Sequence, residues 1–199
     1  MVDHSEKLIR QLSLIVYLMA ERRPVTASEI RRGVEEYSKL NEDTFPRRFY
    51  ADQAELQAVG IALGVEKPGD GELEQERYSL PPELRSPINE ILLDLLERIR
   101  RRVPLRDVDV ALATGTSEGT VADWVARRAA PTVLQAVLLG QVLATVEHLL
   151  LTIEPDAVRR WLNRGVQALD GRTPLEILAA GGYTAIAGMA RDLLDPPVT

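Results

Sequence analysis

The side chains in this sequence with the clearest chemical potential are arginines. They come in adjacent pairs or short runs: Arg47-Arg48, Arg98 with Arg100, Arg101 and Arg102, and Arg127-Arg128. Guanidinium groups neutralise phosphate oxygens and fork onto base edges, so the chemistry they suggest is nucleic-acid binding. Groups for covalent or metal chemistry are scarce. The 199 residues contain no cysteine, which excludes disulfides, thiol nucleophiles and cysteine zinc sites, and only two histidines, His4 and His148. His4 falls in the terminus. His148 lies on an apolar helix, where a hydrogen-bonded structural histidine is the plainer reading. No pair of acids sits in a catalytic motif. Gly181-Gly182-Tyr183 lacks both the preceding strand and the following Lys-Ser/Thr of a phosphate loop. The expectation is a binding protein and not an enzyme, with no catalytic residue, no metal site and no cofactor.

The formal net charge is −6, which at first sight argues against nucleic acid. Counted by region it is −4 for residues 1–82, 0 for 83–131 and −2 for 132–199. The acidity gathers at the N-terminal end, so DNA binding is limited to a few local arginines and should be modest and salt-sensitive. With 45% hydrophobic and 27% charged residues the composition is that of an ordinary folded domain. The N-terminus lacks the basic head and small-residue cleavage site of a signal peptide, so a cytoplasmic protein is expected. Ala129 to Val146 contains no charge, yet it keeps Gln135 and Gln141 and runs into Glu147 and His148. It reads as a buried helix, with a membrane span as the alternative.

The elements that must position the arginines follow from periodicity and capping. Leu8, Leu12, Ile15, Val16 and Met19 recur at helical spacing until Arg22-Arg23-Pro24. Thr26 and Glu29 form a capping box for a helix over residues 27–35, with Ile30 and Val34 on one face. A third helix starts near Phe45 with Thr44 as cap and Pro46 in its first turn; Phe45, Phe49, Leu56 and Val59 make its apolar stripe, and Gly60 ends it. Strands near 61–66 and 77–80 flank a loop rich in Gly, Pro and Asp. Three helices and then a hairpin is the layout of a winged helix. Its tip carries Asp70, Glu72, Glu74 and Glu76, which phosphates would repel. Pro81-Pro82 closes this unit. Ile88, Leu92, Leu95, Leu96 and Ile99 stripe a connecting helix that could supply a dimer seam. The arginines at its end read as a solvated, dipole-favoured terminus or as a phosphate grip.

The segment TFPRRFYADQAELQAVGIALGVE, through Phe45, Arg47, Phe49, Asp52, Leu56, Gly60 and Ile61, resembles the winged helix–turn–helix of PafB/PafC-type regulators, the WYL-domain transcription factors. Residues 105–131 then have the spacing of a second helix–turn–helix. Ala111 is small inside the first helix, Gly115 forms the turn, Ser117 caps the second helix, and Val121 and Trp124 lock it down. Beyond the uncharged helix, Trp161-Leu162, Leu169, Gly171-Arg172-Thr173-Pro174-Leu175-Glu176 and Leu178 resemble the signature of the Xre/MbcA/ParS antitoxins, a likeness that spans about residues 104–194. Read without the family, this stretch is an Asp170-Gly171 turn followed by a helix with Thr173 as cap, Pro174 in first position and Glu176 completing a capping box.

The expected fold is mainly α. It comprises an N-terminal winged helix–turn–helix with one β-hairpin (1–82), a connecting helix (83–103), an all-α helix–turn–helix (104–152) and a helical C-terminal domain (153–199). The expected function is a DNA-binding transcriptional regulator of the antitoxin type, acting as a homodimer on double-stranded DNA, with no membrane role. Its DNA contacts would be Arg47, Arg48 and Tyr50 on the first reading helix and Ser117, Thr120, Arg127 and Arg128 on the second. The antitoxin resemblance implies a RES-type toxin as partner, bound through Trp161, Leu169, Gly171, Arg172, Thr173, Pro174 and Leu178. Two alternatives stay open: a pure protein-interaction antitoxin or adaptor with vestigial DNA binding, and an orphan regulator that keeps the scaffold without a toxin.

Overall fold

The apolar spacing that begins at Leu8 is carried by helix α1 (Val2–Ala20), in a computed structural model that describes residues 2–67 and 76–193, with side chains from residue 6 onward. The helix buries Leu12, Ile15, Val16 and Met19, and also Ile9, Leu14 and Leu18, so it is covered from more than one side. After Arg22-Arg23-Pro24 comes a two-residue strand, β1 (Val25–Thr26). The Thr26 capping box is present: Glu29 N–H donates to Thr26 Oγ1 at 3.2 Å, and Thr26 N–H donates to Glu29 Oε2 at 2.8 Å. Arg23 and the Thr26 N–H together pull the Glu29 carboxyl down to about 2.

The next helix stops short of its expected end. It is α2 (Ala27–Gly33), and Val34 is extended (φ −104°, ψ 113°) before a separate turn, α3 (Glu35–Ser38). The Tyr17 ring crosses Gly33 so closely that a Cβ there would meet it at 2.2 Å. The kink that follows buries both Val34 and Tyr37. In α4 (Thr44–Ala58), Thr44 is already helical and is not the cap; its N–H donates to Asn41 Oδ1 at 2.7 Å. Phe45, Phe49 and Leu56 line the buried face, but Val59 is 68% exposed. The chain reverses at Gly60 (φ +88°), and Ile61, whose N–H reaches the Leu56 carbonyl at 2.8 Å, takes the inner place.

Strands β2 (Gly64–Glu66) and β3 (Arg77–Ser79) form the hairpin, and β3 also pairs with β1. The antiparallel order is β1-β3-β2, with Val25 and Val65 on either side of Tyr78. Of the acidic tip, Asp70, Glu72 and Glu74 lie outside the described residues; Glu76 accepts a hydrogen bond from the Tyr78 hydroxyl at 2.9 Å.

A 3-10 turn (Pro82–Leu84) leads into α5 (Arg85–Arg100), followed by α6 (Asp107–Thr114), α7 (Glu118–Val125), α8 (Val133–Leu149), α9 (Pro155–Leu162), a 3-10 turn (Gln167–Leu169), α10 (Pro174–Ala179) and α11 (Tyr183–Asp192). The protein is mainly helical with one small antiparallel sheet. The uncharged stretch is α8, opened by a Thr132–Gln135 capping box and packed against α1, α5, α6, α10 and α11. A helix that is apolar all round has to be covered all round. No described helix is long and apolar enough to cross a membrane.

Two expectations about α5 change. Ile88, Leu92, Leu95, Leu96 and Ile99 are all buried within the chain, where α5 packs on α8, so this stripe is not available as a dimer seam. The arginines at its end divide: Arg100 pairs with Asp107 at 2.7 Å and Arg102 with Glu147 at 3.7 Å, while Arg98 and Arg101 are exposed.

The approach of α1 to α8 is set by Gly140, where a Cβ would stand 2.3 Å from Val16 Cγ2. Gly140→Ala should therefore overpack this contact and lower stability by about 1–3 kcal/mol in urea unfolding, in spite of alanine's helix propensity. Combined with Val16→Ala, the loss should be smaller than the sum of the two single losses. Strictly additive losses would show that the two helices do not meet at this point.

Candidate nucleic-acid interface and partner-binding turn

The inner face of α4 is held by aromatic packing and one buried carboxylate. The rings of Phe45 and Phe49 stack at 5.5 Å; Tyr37 meets Phe45 edge-on at 5.4 Å, and Tyr78 meets Phe49 edge-on at 5.0 Å. Asp52, 1% exposed, shares this face. It accepts from Arg10 Nε at 2.5 Å and Nη2 at 2.9 Å, and from the Tyr37 hydroxyl at 2.8 Å. Burial, together with the Asp52 charge, pushes the Tyr37 hydroxyl well above the ordinary tyrosine range. A buried charge is tolerable when it is paired and its remaining lone pairs are satisfied. Here the pairing joins α4 to α1 and α3.

With its inner face fixed, α4 turns Arg47, Arg48 and Tyr50 outward. Both arginines are exposed and have no hydrogen-bond or ion-pair partner among the described residues. Tyr50 is 55% exposed, its ring against that of Phe49 at 5.9 Å. Two unpaired guanidiniums beside an exposed aromatic ring can take up phosphate oxygens and sugar or base edges.

The second helix–turn–helix is built as its spacing implies. Gly115 is left-handed (φ +64°), Ala111, Val121 and Trp124 are buried, and Ser117 caps α7 by accepting from Thr120 N–H at 3.1 Å. Its polar residues, however, are occupied. The Ser117 and Thr120 hydroxyls lie 2.9 Å apart and bond to each other. Arg127, held at φ +57°, reaches three carboxylates along α5: Glu90 at 2.9 Å, Asp94 at 2.5 Å and Glu97 at 3.3 Å. Arg128 pairs with Asp123 at 2.7 Å. Sequence reasoning placed Arg127 on a DNA-facing surface. In the structure it ties α7 to α5, through a separation of over thirty residues that no local spacing reveals.

The C-terminal unit is fastened to α6 by Asp109, which is 2% exposed. It accepts from Arg159 Nε at 2.7 Å and Nη2 at 3.2 Å, from Asn163 Nδ2 at 3.1 Å and from Arg106 N–H at 2.8 Å. Burial pushes this carboxyl up, but the Arg159, Arg106 and Asn163 bonds outweigh it and the net shift is downward. On the other side, Tyr183 of α11 lies 3.2 Å from Ser13 Oγ and donates to Glu36 Oε1 at 3.5 Å, while Arg191 pairs with Glu35. Burial raises the Glu36 carboxyl and lowers His148, whose Nδ1 is buried without a hydrogen-bond partner among the described residues. The backbone of Ala144, one turn back along α8, partly opposes that lowering.

The expected partner-binding residues gather at the turn after α9. Asp170 (φ +55°) and Gly171 (φ +79°) reverse the chain against Gly165, where a Cβ would meet the Gly171 carbonyl at 2.5 Å. Thr173 and Glu176 close a reciprocal capping box at 3.2 and 2.7 Å. Gly171 and Arg172 are exposed, and Trp161, Leu169 and Thr173 are half-buried. Pro174 and Leu178 are buried in the core, so they hold the turn from within instead of presenting a surface. Asp52, Arg10, Asp109 and Arg159 were not singled out as site-builders; for Asp52 the signal was an acid on the same helical face as Phe45, Phe49 and Leu56.

No protein-family model matches the chain. Over 85 residues it is 34% identical to Protein PafB of Mycobacterium leprae (strain TN), a match over 39% of this chain and 26% of PafB. The chain thus spans about a quarter of that relative's length. A chain in the crystal structure of the M. tuberculosis MbcT-MbcA toxin-antitoxin complex superposes with a TM-score of 0.49 at 18% identity, covering 55% of this chain and 98% of that one.

The Asp109 cluster has a checkable pH signature. A carboxyl whose pKa is lowered by folding stabilises above its unfolded value of roughly 3.9, and that contribution is lost as pH falls through the folded value. Asp109→Asn should cost about 1–3 kcal/mol at pH 7. The gap in urea midpoint between wild type and variant should narrow at pH 3. A gap of constant size across this range would show that the charge of Asp109 does not matter.

Proposed function

We propose that the protein is a DNA-binding transcriptional regulator of the antitoxin type, reading double-stranded DNA with α4 and offering a protein partner the turn around Gly171 and Arg172. The observation that carries the DNA reading is the pair of exposed arginines, Arg47 and Arg48, without a partner among the described residues, next to Tyr50 on a helix whose other face is locked by Asp52. The β2–β3 hairpin follows α4 in the chain, as a wing follows a recognition helix. The identity with PafB supports a regulator of this kind. The second helix–turn–helix is assigned a scaffolding role because Arg127 and Arg128 are already neutralised by acids of the same chain.

The partner reading rests on the Gly-Arg-Thr-Pro-Leu turn and on the exposed or half-buried positions of Trp161, Leu169, Gly171, Arg172 and Thr173. A RES-type toxin in the cytoplasm is the partner this reading names. Binding DNA and binding a toxin use opposite ends of the chain's sequence, so one molecule can do both.

The test is binding to the DNA upstream of the protein's own gene at several salt concentrations. Arg47→Ala/Arg48→Ala should weaken binding and flatten the plot of log K against log salt by about one unit per lost phosphate contact. Arg127→Ala/Arg128→Ala should leave that slope unchanged. Absence of any salt-dependent shift with the wild-type chain would overturn the DNA reading. In the same preparations, Arg172→Glu should abolish co-purification with the protein encoded by the neighbouring gene while leaving DNA binding intact; retention of the partner would overturn the assignment of the turn.

A further inference from the structure

Where α1 ends, β3 leaves the sheet and α8 begins, the surface folds inward into a cleft of about 690 Å³. That is a size suited to a small organic ligand. Its walls are apolar: Leu18 and Met19 from α1, Leu80 after β3, and Val133, Leu134 and Val137 from the first turns of α8. Leu134 is 67% exposed and Val133 is exposed too, on a helix that otherwise buries almost its whole circumference. Apolar side chains left in water inside a concavity mark a binding surface more strongly than the same residues scattered on a convex one.

The rim is cationic. Arg22 and Arg85 line it, both exposed and neither with a hydrogen-bond or ion-pair partner among the described residues. Arg23 also lines it but is committed to Glu29 at 2.5 Å. The one acid of the lining, Glu21, interacts with the Tyr17 hydroxyl. Val133 and Leu134 open the 17-residue helix α8, so the positive end of its dipole lies at the same place.

We propose that this cleft binds a small amphipathic anion, its carboxylate or phosphate head held by Arg22 and Arg85 and its aliphatic tail laid along Leu80, Leu134 and Val137. Guanidinium forks suit either head group. A neutral apolar ligand would bury the walls and leave the rim unused, and a cationic one would be repelled by it. The walls come from three distant stretches of chain, so an occupant links the sheet to the helical body.

Titration of the full chain with decanoate and with decyl phosphate, followed by calorimetry and thermal unfolding, tests this, with decanol and decyltrimethylammonium as controls. At least one anion should bind and raise the melting temperature. Arg22→Ala/Arg85→Ala should weaken it by at least about tenfold. Leu134→Glu should abolish it, with circular dichroism reporting both variants folded. Which of the two anions binds more tightly assigns the head group. The proposal is overturned if neither anion binds, if decanol or decyltrimethylammonium binds as tightly, or if the arginine variant binds as well as wild type.

Discussion

The close contact of α1 with α8 at Val16 and Gly140 is the constraint on which the rest of the molecule depends. A 17-residue helix without a charge before Glu147 is stable in water only if it is enclosed on all sides, and here α1, α5, α6, α10 and α11 enclose it. These walls come from before and after α8 in the chain, so a single hydrophobic cluster runs through all the units that the sequence suggests. The outward faces of α4 and of the Gly171 turn are therefore presented from one shared core. A glycine at 140 brings two backbones close enough for this, where any larger residue would hold α1 off.

Two buried aspartates do similar work in the two halves of the chain. Asp52 joins α4 to α1 and α3 through Arg10 and Tyr37; Asp109 joins α6 to α9 through Arg159 and Asn163. Each carboxylate is almost fully withdrawn from water and fully partnered. An ion pair of this kind adds little to stability over a well-packed apolar pair, yet it strongly penalises any arrangement that breaks it. Its effect is to specify orientation. For α4 that matters directly, because the register fixed by Asp52 on one face decides which residues stand on the other.

Much of this was legible from local rules. The capping boxes at Thr26 and Thr173, the left-handed turns at Gly60, Gly115 and Gly171, and the burial of the uncharged helix are written in residues a few positions apart. What escaped was long-range. A two-residue strand such as β1 has no period to detect and exists because β3 pairs with it. The Tyr17 ring lies over Gly33, just before the kink at Val34, a contact between helices that local spacing does not show. Pro174 and Leu178 fit a binding motif by type, but a motif does not say which of its residues face inward. The stripe from Ile88 to Ile99 suits a partner helix equally well in the same chain or in another, and α8 is the one it has.

The arginines show the same limit in its most consequential form. Counting charges predicts a weak phosphate binder; knowing which charges are spent changes where the binding can occur. Arg10, Arg23, Arg100, Arg127 and Arg159 each answer a carboxylate of the chain, and to meet a phosphate they would first have to give that partner up. Arg47 and Arg48 have no such carboxylate to give up among the described residues. For Arg127, three carboxylates on successive turns of α5 make the exchange costlier than for the single exposed pair of Arg128 with Asp123. The net charge of −6 acts at long range and is screened beyond roughly 10 Å at 0.1 M salt, whereas unspent guanidiniums act at contact. An acidic protein can therefore keep a local phosphate-binding face, provided the cations on that face are the ones the fold has left unpaired.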